Sequence, residues 1–381
     1  MSHIDVSVAT SPDDELERHR ANIDTIDNEL LALIHARVQE ARAIGQLKRH
    51  LGQPVYQPGR ETAILRKLCA QSGGTLREQH IASIWRALFQ ANREVQQTPR
   101  VAFLGPRGTY TEQAMQRYFG TTAQPVACDT LDAVFASLAD GRAERAVVPI
   151  ENSTEGTVMH TVDLLIDAEV QVSGEVVLPV SHCLLSASGS LQDVDGVLGH
   201  EQALAQCRAW LDTHLPGVRR EARASNAAAA RQAVDTPACA AIASEQAAHQ
   251  YGLQIVARAI QDQPDNRTRF LVLGGAPPEP TGYDRTSLIV ELSNQVGSLA
   301  QIFDAIARHR ISVLWLETRP RKTGRWAYHF IVDLLGHHGD RNVAAAIEEI
   351  RSIAEHARVL GSYPCAPDAD PALLSPDAQA S

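Results

Sequence analysis

The sequence predicts a multidomain protein in which three fold classes follow one another: an all-α segment, an α/β segment and an α+β segment. Three observations carry this. Residues 13–97 read as helices throughout, and no proline interrupts residues 13–51. From Arg100, short apolar runs alternate with amphipathic stretches and glycine-bearing turns, the pattern of successive βα units. Beyond the proline-rich linker Ala276-Pro-Pro-Glu-Pro-Thr-Gly282 the element order becomes βαββαβ, which is ferredoxin-like. A chain of 381 residues has room for two or three domains. Boundaries are expected at 11–98, 100–276 and 284–364, with 1–10 and 365–381 as disordered tails.

Composition narrows the function. The net charge is −10, and basic residues are interspersed with acidic ones, so no stripe for nucleic acid is present. No apolar run approaches the ~20 residues of a membrane span. The N-terminus, MSHIDVSVATSPDDELERH, is polar and acidic, unlike a signal peptide, so a cytoplasmic protein is expected. Six scattered cysteines without a CxxC, and 15 histidines without HxxxH or HExxH spacing, predict no disulfide framework and no metal site.

The first helix is read from Ile23, Ile26, Leu30, Leu33, Ile34, Val38, Ala41, Ile44 and Leu47, which recur every three or four residues. Its length, from Asp13 to about Leu51, predicts a helical pair or an intertwined dimer. Gly52 and Pro54 end it. A second helix is expected over 58–71 and a third over 78–97, with Ile81, Ile84, Trp85, Leu88 and Phe89 as the apolar face of the third. The stripe of the first helix also carries Arg37 and Lys48. They lie 11 residues apart, three turns plus about 20°, so they point the same way. On the ordinary reading both snorkel at the edge of the stripe. On the sharper reading they line an anion pocket. Arg20 on the same helix, Arg60-Glu61 at the start of the second, and Asn92 and Gln96 one turn apart on the third would complete it. That set suits a small dicarboxylate bearing a hydroxyl, with no nucleophile or metal required.

In the α/β segment, Val101–Leu104 is a strand, and Gly105-Pro-Arg-Gly-Thr-Tyr-Thr111 a turn with Thr109 or Thr111 as helix N-cap. Such a turn can make an anion site from backbone N–H groups. A helix over 130–139 and a strand over 145–150 lead to the polar cluster Glu151-Asn-Ser-Thr-Glu-Gly156 and a helix over 157–166. Ligands in open α/β sheets bind at such strand ends. Further strands are expected near 170–178, 181–186, 196–199, 238–243 and 254–258, with helices at 201–213, 226–234 and 244–250. His160, His182 and His200 read as structural hydrogen-bonders. In Gln261-Asp-Gln-Pro-Asp-Asn-Arg-Thr-Arg-Phe-Leu-Val-Leu-Gly-Gly275 a run of turn formers feeds a buried strand. Thr268 and Arg269 therefore stand where a loop meets a rigid element, a common place for chemistry. After the linker, strands are expected at 286–292, 311–318, 325–334 and 357–362, with helices at 298–308 and 340–354.

Residues 13–97 resemble the all-helical chorismate mutase domain, through Arg20, Ile26-Asp27, Leu30-Leu-Ala-Leu33, Arg37, Gly45, Lys48, Pro54-Val55 and Arg60-Glu61. The resemblance implies that Arg37, with Arg20 of a partner chain, holds the two carboxylates of chorismate. Lys48 and Gln96 would bond the ether oxygen and Glu61 the ring hydroxyl. Gln57 and Asn92 stand where Asp and Ser are usual and keep hydrogen-bonding capacity. Six ordered segments over 101–275 resemble prephenate dehydratase: Gly105–Thr111, Val148–Gly156, Leu178–Leu184, His200–Cys207, Ala241–Ser244 and Asn266–Phe270. That family has two α/β lobes with a cleft between them, similar to periplasmic binding proteins, the second lobe here lying at about 178–260. The resemblance implies Thr268 as proton donor to the departing hydroxyl and Arg269 as a carboxylate holder. Glu151, Asn152, Ser153 and Gln202 would orient the substrate, although Gly199 and Glu201 depart from the usual Ser-His-Pro-Gln. The last segment resembles an ACT regulatory domain, with Glu317-Thr318-Arg319-Pro320 and Leu360-Gly-Ser-Tyr-Pro364. This implies feedback inhibition by phenylalanine, with Gly297, Ser298 and Leu299 on the effector loop. Gln295-Val-Gly297 and Leu314-Trp315 depart from the usual pattern there.

The resulting expectation is a cofactor-free, cytoplasmic, homo-oligomeric enzyme of phenylalanine biosynthesis. It would act on chorismate and prephenate and bind no nucleic acid or membrane. Two other readings stand beside it: a non-catalytic amino-acid sensor with a two-lobed cleft, and a dehydratase acting on arogenate.

Overall fold

The computed structural model describes residues 12–51, 58–74, 76–96, 98–121, 123–292, 295–321 and 328–366. Gln57, the start of the strand expected from 325, and the tails outside 12–366 lie outside the described residues. The chain opens with helices α1 (Pro12–His50), α2 (Pro58–Gln71) and α3 (Glu78–Gln96). α3 packs on both α1 and α2. Among the described side chains of α1 only Ala41 and Gly45 are buried, whereas Ile23, Ile26, Leu30 and Leu33 are each at least 50% exposed.

The chain continues through β1 (Arg100–Leu104), α4 (Tyr110–Phe119), β2 (Gln124–Cys128), α5 (Leu131–Ala139), β3 (Arg145–Asn152), β4 (Gly156–Thr157), α6 (Met159–Asp167) and β5 (Val172–Pro179). It then builds a second unit from β6 (Cys183–Ser186), β7 (Gly196–His200), α7 (Glu201–Gln206), α8 (Arg208–His214), β8 (Arg219–Arg223), α9 (Asn226–Asp235), β9 (Cys239–Ala243), α10 (Glu245–Tyr251) and β10 (Gln254–Ala257). β11 (Arg267–Leu273) returns to the first unit. The first sheet has the order β2-β1-β3-β11-β5, with β4 on β3, and the second β10-β6-β9-β7-β8. β11 is thus inserted between β3 and β5, antiparallel to both, and the second lobe interrupts the first.

Local chemistry starts the helices. The Thr109, Thr130, Ser225 and Ser244 hydroxyls accept N–H groups in the first turns of α4, α5, α9 and α10. Three strands escape the sequence reading: the two-residue β4, β2 with Pro125 and the charged β8. β2 and β8 end their sheets, where a proline or a row of charges is tolerated because one side of the ladder is unpaired. The single helix expected over 201–213 is broken at Cys207, and the Asp262 carboxylate accepts the N–H groups of Ala209 and Trp210 that the break leaves free.

The third unit comprises β12 (Asp284–Leu292), α11 (Ser298–Arg308), β13 (Val313–Pro320), β14 (Tyr328–Leu335), α12 (Arg341–Ile353) and β15 (His356–Pro364). Its antiparallel sheet has the order β13-β14-β12-β15. α11 and α12 cover one face through Ile302, Ile306, Val343, Ile347 and Ile350. The other face lies on the first lobe: Ile289, Ile331, Leu360 and Tyr363 share one core with Val148, Val172 and Leu271. Among the described residues no helix is long and apolar enough to cross a membrane, and no group of His, Cys, Asp or Glu is arranged to hold a metal.

Candidate active site

The helical unit gathers the side chains its stripe pattern brought to one face. Arg37 and Lys48 are half-buried, and the Arg37 guanidinium lies 5.3 Å from the centre of the Phe89 ring of α3. Burial lowers the pKa of Arg37, opposed by the charge of Glu61; it also lowers that of Lys48, reinforced by Arg60. Those mutual influences put Arg37, Lys48, Arg60 and Glu61 around one region. Asn92, one turn beyond Phe89, is 7% exposed and its Oδ1 is buried without a donor. Buried acceptors are normally satisfied, so Asn92 is poised for a ligand hydroxyl. Arg20 is exposed and stands 17 residues before Arg37, about 25 Å along α1. It cannot reach this region within its own chain. The Gln96 side chain, like Gln57, lies outside the described residues.

The second site lies where β3 and β11 end against the second lobe. Thr268 pairs with Asn152 across the two strands. The Asn152 amide nitrogen donates to the Thr268 hydroxyl and to Asn266 Oδ1, both at 2.8 Å, and its Oδ1 accepts the N–H groups of Thr154 and Glu155 at 3.0 Å. These four bonds fix the amide orientation, because its oxygen is already occupied by two obligate donors. The Thr268 oxygen is therefore an acceptor from Asn152, and its own proton remains available to a ligand. From the second lobe, Gln206 Oε1 accepts from Asn266 and from His182 Nε2, while its nitrogen donates to Glu155 at 2.9 Å. Gln202 donates to the other oxygen of Glu155 at 3.4 Å. Burial holds the His182 pKa below its ordinary value, so the imidazole is neutral. A cavity of about 300 Å³, a size suited to a small molecule, opens beside this network; Thr154, Gln206, Gln261, Asp262 and Asn266 line it, whereas Thr268 and Asn152 do not.

The structure brings together Thr268, Asn152 and Gln202, which sequence reasoning singled out, and His182 is the structural hydrogen-bonder it was read as; Asn266, Gln206 and Glu155 were not singled out. Asn266 and Gln206 stood inside quoted motifs; only the fold shows that they converge. Ser153 is placed differently from the expectation. Its hydroxyl accepts the Arg267 N–H and donates to the Asp265 carbonyl, so it shapes the loop that delivers Thr268.

Three expectations need correction. Arg269 does not face the cleft. Neighbours on a strand point to opposite faces, and its guanidinium is 7% exposed among Glu151, Glu175 and Asp333, over the Trp315 ring. Glu151 accompanies it, accepting from Arg269 Nε at 3.2 Å, and so also lies behind the cleft. The turn Gly105–Thr111 offers no empty anion site. The buried Glu112 carboxylate accepts Gly108 N–H and Arg107 Nε, and Gly108 has φ of 86°, which glycine adopts without strain.

The effector residues divide. Gly297, with φ of 88°, precedes α11, and Ser298 Oγ bonds the Gln295 carbonyl, beside a half-exposed Leu299. On β13, Glu317 accepts from Thr157 at 2.5 Å and Arg319 forms a bidentate pair with Asp163 at 2.6 Å. Both are committed to the first lobe rather than to an effector, whereas Thr318 and Pro320 are exposed. They alternate with Glu317 and Arg319 along the strand.

Comparison with known proteins follows these divisions. Residues 19–97 match the family model of chorismate mutase type II, 101–278 that of prephenate dehydratase and 286–352 that of the ACT domain. A bifunctional chorismate mutase/prephenate dehydratase of Neisseria gonorrhoeae is 41% identical over 357 residues, covering 93% of this chain and 98% of the relative. A prephenate dehydratase of Arthrobacter aurescens in complex with L-Phe superposes with a TM-score of 0.67 and 35% identity, over 73% of this chain and 94% of its own. GqqA, a quorum-quenching acylase, superposes with a TM-score of 0.65 and 30% identity, over 70% of this chain and 98% of its own. With mutase, dehydratase and ACT units present in one order and near-complete coverage of a bifunctional relative, the chain belongs to the bifunctional chorismate mutase/prephenate dehydratase family.

Proposed function

We propose that the helical site rearranges chorismate to prephenate and that the cleft converts prephenate to phenylpyruvate, CO₂ and water. The first step is a unimolecular rearrangement and needs no acid or base. Arg37, with Arg20 from a second copy, would grip the two carboxylates and select the compact conformer. Lys48 and Gln96 would meet charge developing on the ether oxygen, with Glu61 and Asn92 bonding the ring hydroxyl. The 25 Å reach from Arg20 to Arg37 and the exposed Ile23, Ile26, Leu30 and Leu33 support a dimer through α1.

One observation supports the cleft reading most directly. Thr268 accepts a hydrogen bond from Asn152 and keeps its own proton. As the carboxylate leaves as CO₂, its electron pair enters the ring and expels hydroxide. Thr268 would hand its proton to that hydroxide, giving water, and regain one from solvent. A free threonine is too weak an acid for this. Here the Asn152 N–H is aimed at the oxygen on which negative charge would develop, so the donor group is stabilised in advance. The acylase activity of GqqA calls for an activated nucleophile; among the described residues no carboxylate or imidazole bonds Thr268, so a lyase is favoured. Phenylalanine is the effector supported by the ACT unit, and a cytoplasmic location suits the substrates. Domain edges are placed near 98–100 and 276–284, in the two proline-containing linkers.

The test is a cofactor-free assay with chorismate as sole substrate. Phenylpyruvate formation is expected. Prephenate accumulation would refute the cleft reading and turn attention to arogenate. No turnover by a well-folded protein would favour the sensor reading.

A further inference from the structure

Behind Thr268 lies a cluster of charges that the reaction does not use. Arg269 Nη1 donates to Asp333 Oδ2 at 2.8 Å, and Arg285 Nη1 donates to the same oxygen at 2.9 Å. Ser287 Oγ donates to Asp333 Oδ1 at 2.6 Å and meets the Tyr363 hydroxyl at 2.8 Å. Glu175 lies 3.5 Å from Arg269 and 3.3 Å from Arg285. Arg269 comes from the dehydratase strand β11; Asp333, Arg285, Ser287 and Tyr363 all come from the ACT sheet. The guanidinium is sandwiched against Trp315 of β13, 5.1 Å away, and Asp333 is 2% exposed.

A buried ion cluster is weak evidence for stability, since apolar side chains of similar volume do as well. What this cluster does supply is position. Thr268 and Asn152 are paired across β11 and β3, and the next pair, Arg269 and Glu151, is held by Arg269 Nε. The β3–β11 ladder shifts register between Arg269 and Phe270, with Ile150 of β3 as the extra residue, so it is interrupted beside the catalytic pair, whereas the β5–β11 ladder runs regularly from Arg267 to Val272. On the β3 side of β11 the Arg269 side chain therefore adds a tie that the backbone ladder does not supply, and its shortest bond is to Asp333.

We propose that Asp333 of the ACT sheet is a positioning residue of the dehydratase site, setting the register of Thr268 against Asn152 through Arg269. This rests on the reading of the cleft as the prephenate site. The ACT unit is then a structural part of the active site, and any shift of its sheet reaches Thr268 through one side chain.

The test uses the full chain with Asp333→Ala, which removes the oxygen that accepts from Arg269. Misplacement of the donor by a fraction of an ångström to ~1 Å is expected to lower dehydratase kcat by roughly 10- to 100-fold. KM for prephenate and mutase kcat should stay near wild type. Asp163→Ala loosens the same domain contact at Arg319 without touching Arg269, and should leave dehydratase kcat unchanged. Should Asp333→Ala fail to fold, the charge-balanced Asp333→Ala/Arg285→Gln removes the same bond and carries the same expectation. A folded variant of either kind with wild-type dehydratase kcat overturns the proposal, as does an equal fall in kcat for Asp163→Ala. A wild-type chain without dehydratase activity would instead defeat the cleft reading itself.

Discussion

Asn152→Asp tests the direction of the hydrogen bond on which the dehydratase mechanism turns. The substitution is isosteric and keeps the oxygen that accepts the N–H groups of Thr154 and Glu155. It exchanges the donating nitrogen, 2.8 Å from both Thr268 Oγ1 and Asn266 Oδ1, for a carboxylate oxygen. The Thr268 proton would then be drawn to that oxygen in a charge-assisted bond, and an alkoxide at Thr268 would face a like charge. One hydrogen bond, to Asn266 Oδ1, is lost at a net ~1 kcal/mol and the bond to Thr268 is reversed rather than lost, so the fold should survive with a modest loss of stability. Activity should fall much further, by the ~10²–10⁴-fold that general acid catalysis is worth. The same preparation should rearrange chorismate at the wild-type rate, which separates chemistry from folding. Phenylpyruvate absorbance from added prephenate gives kcat and KM. A kcat within about threefold of wild type would refute the assignment, because Thr268 would then be working without the donor at its back.

Four further outcomes follow from the same geometry. Lys48 has its pKa lowered from the ordinary 10.5, first by burial and then by Arg60. On the proposed assignment the protonated amine stabilises the ether oxygen, so mutase kcat/KM should fall on the alkaline side before an exposed lysine would titrate, and Arg60→Gln should move that limb upward; an unshifted limb would exclude Lys48. Glu155→Ala removes the acceptor that Gln202 and Gln206 share across the lobes, and should raise KM for prephenate about 10-fold with kcat less affected. Mixed Arg20→Ala and Lys48→Ala subunits, unfolded and re-annealed together, should recover up to about a quarter of mutase activity if each site draws on two chains; no recovery would argue for self-contained sites. A Cβ at Gly361 would collide with the Val172 carbonyl, so Gly361→Ala should lower the stability of the dehydratase–ACT portion by ~1–3 kcal/mol in denaturant melts and leave the mutase unit alone.

The fold was legible where periodicity and chain breakers agree. α1, α2 and α3 lie within a residue or two of their expected ends, because helical periodicity and the breakers Gly52, Pro54 and Ser72-Gly-Gly74 report the same boundaries. The strands β2 and β8 were not legible, since an edge strand need not be apolar on both faces. The break at Cys207 was hidden because its cause is Asp262, more than fifty residues away. Site residues divide the same way. Arg37 and Lys48 betray themselves as cations on an apolar stripe. Gln206 and Asn266 carry no such anomaly, and matter only because β11 returns beside β3 with α7 leaning over it.

The misplacement of Arg269 teaches something more general about this chain. Adjacency in sequence invites a shared role for Thr268 and Arg269, but adjacency on a strand enforces opposite faces. The pair is therefore a junction between two compartments. Thr268 meets polar, neutral partners, Asn152 and the Asn266–Gln206 relay, in a cleft open to substrate. Arg269 meets carboxylates in a dry interior shared with the ACT sheet; burial works against its charge, and the negative charges of Asp333 and Glu175 outweigh that and keep it protonated. The two environments are not interchangeable. Exchanging the order of the two residues would bury a hydroxyl beside two carboxylates left with Arg285 as their shared cation, and place a cation where a proton donor is needed. A catalytic strand whose next residue is anchored in the regulatory domain has no need of a long chain of intermediates between effector and chemistry. The separation between the two is one peptide bond, and what the ACT sheet must do to alter the reaction is move Asp333.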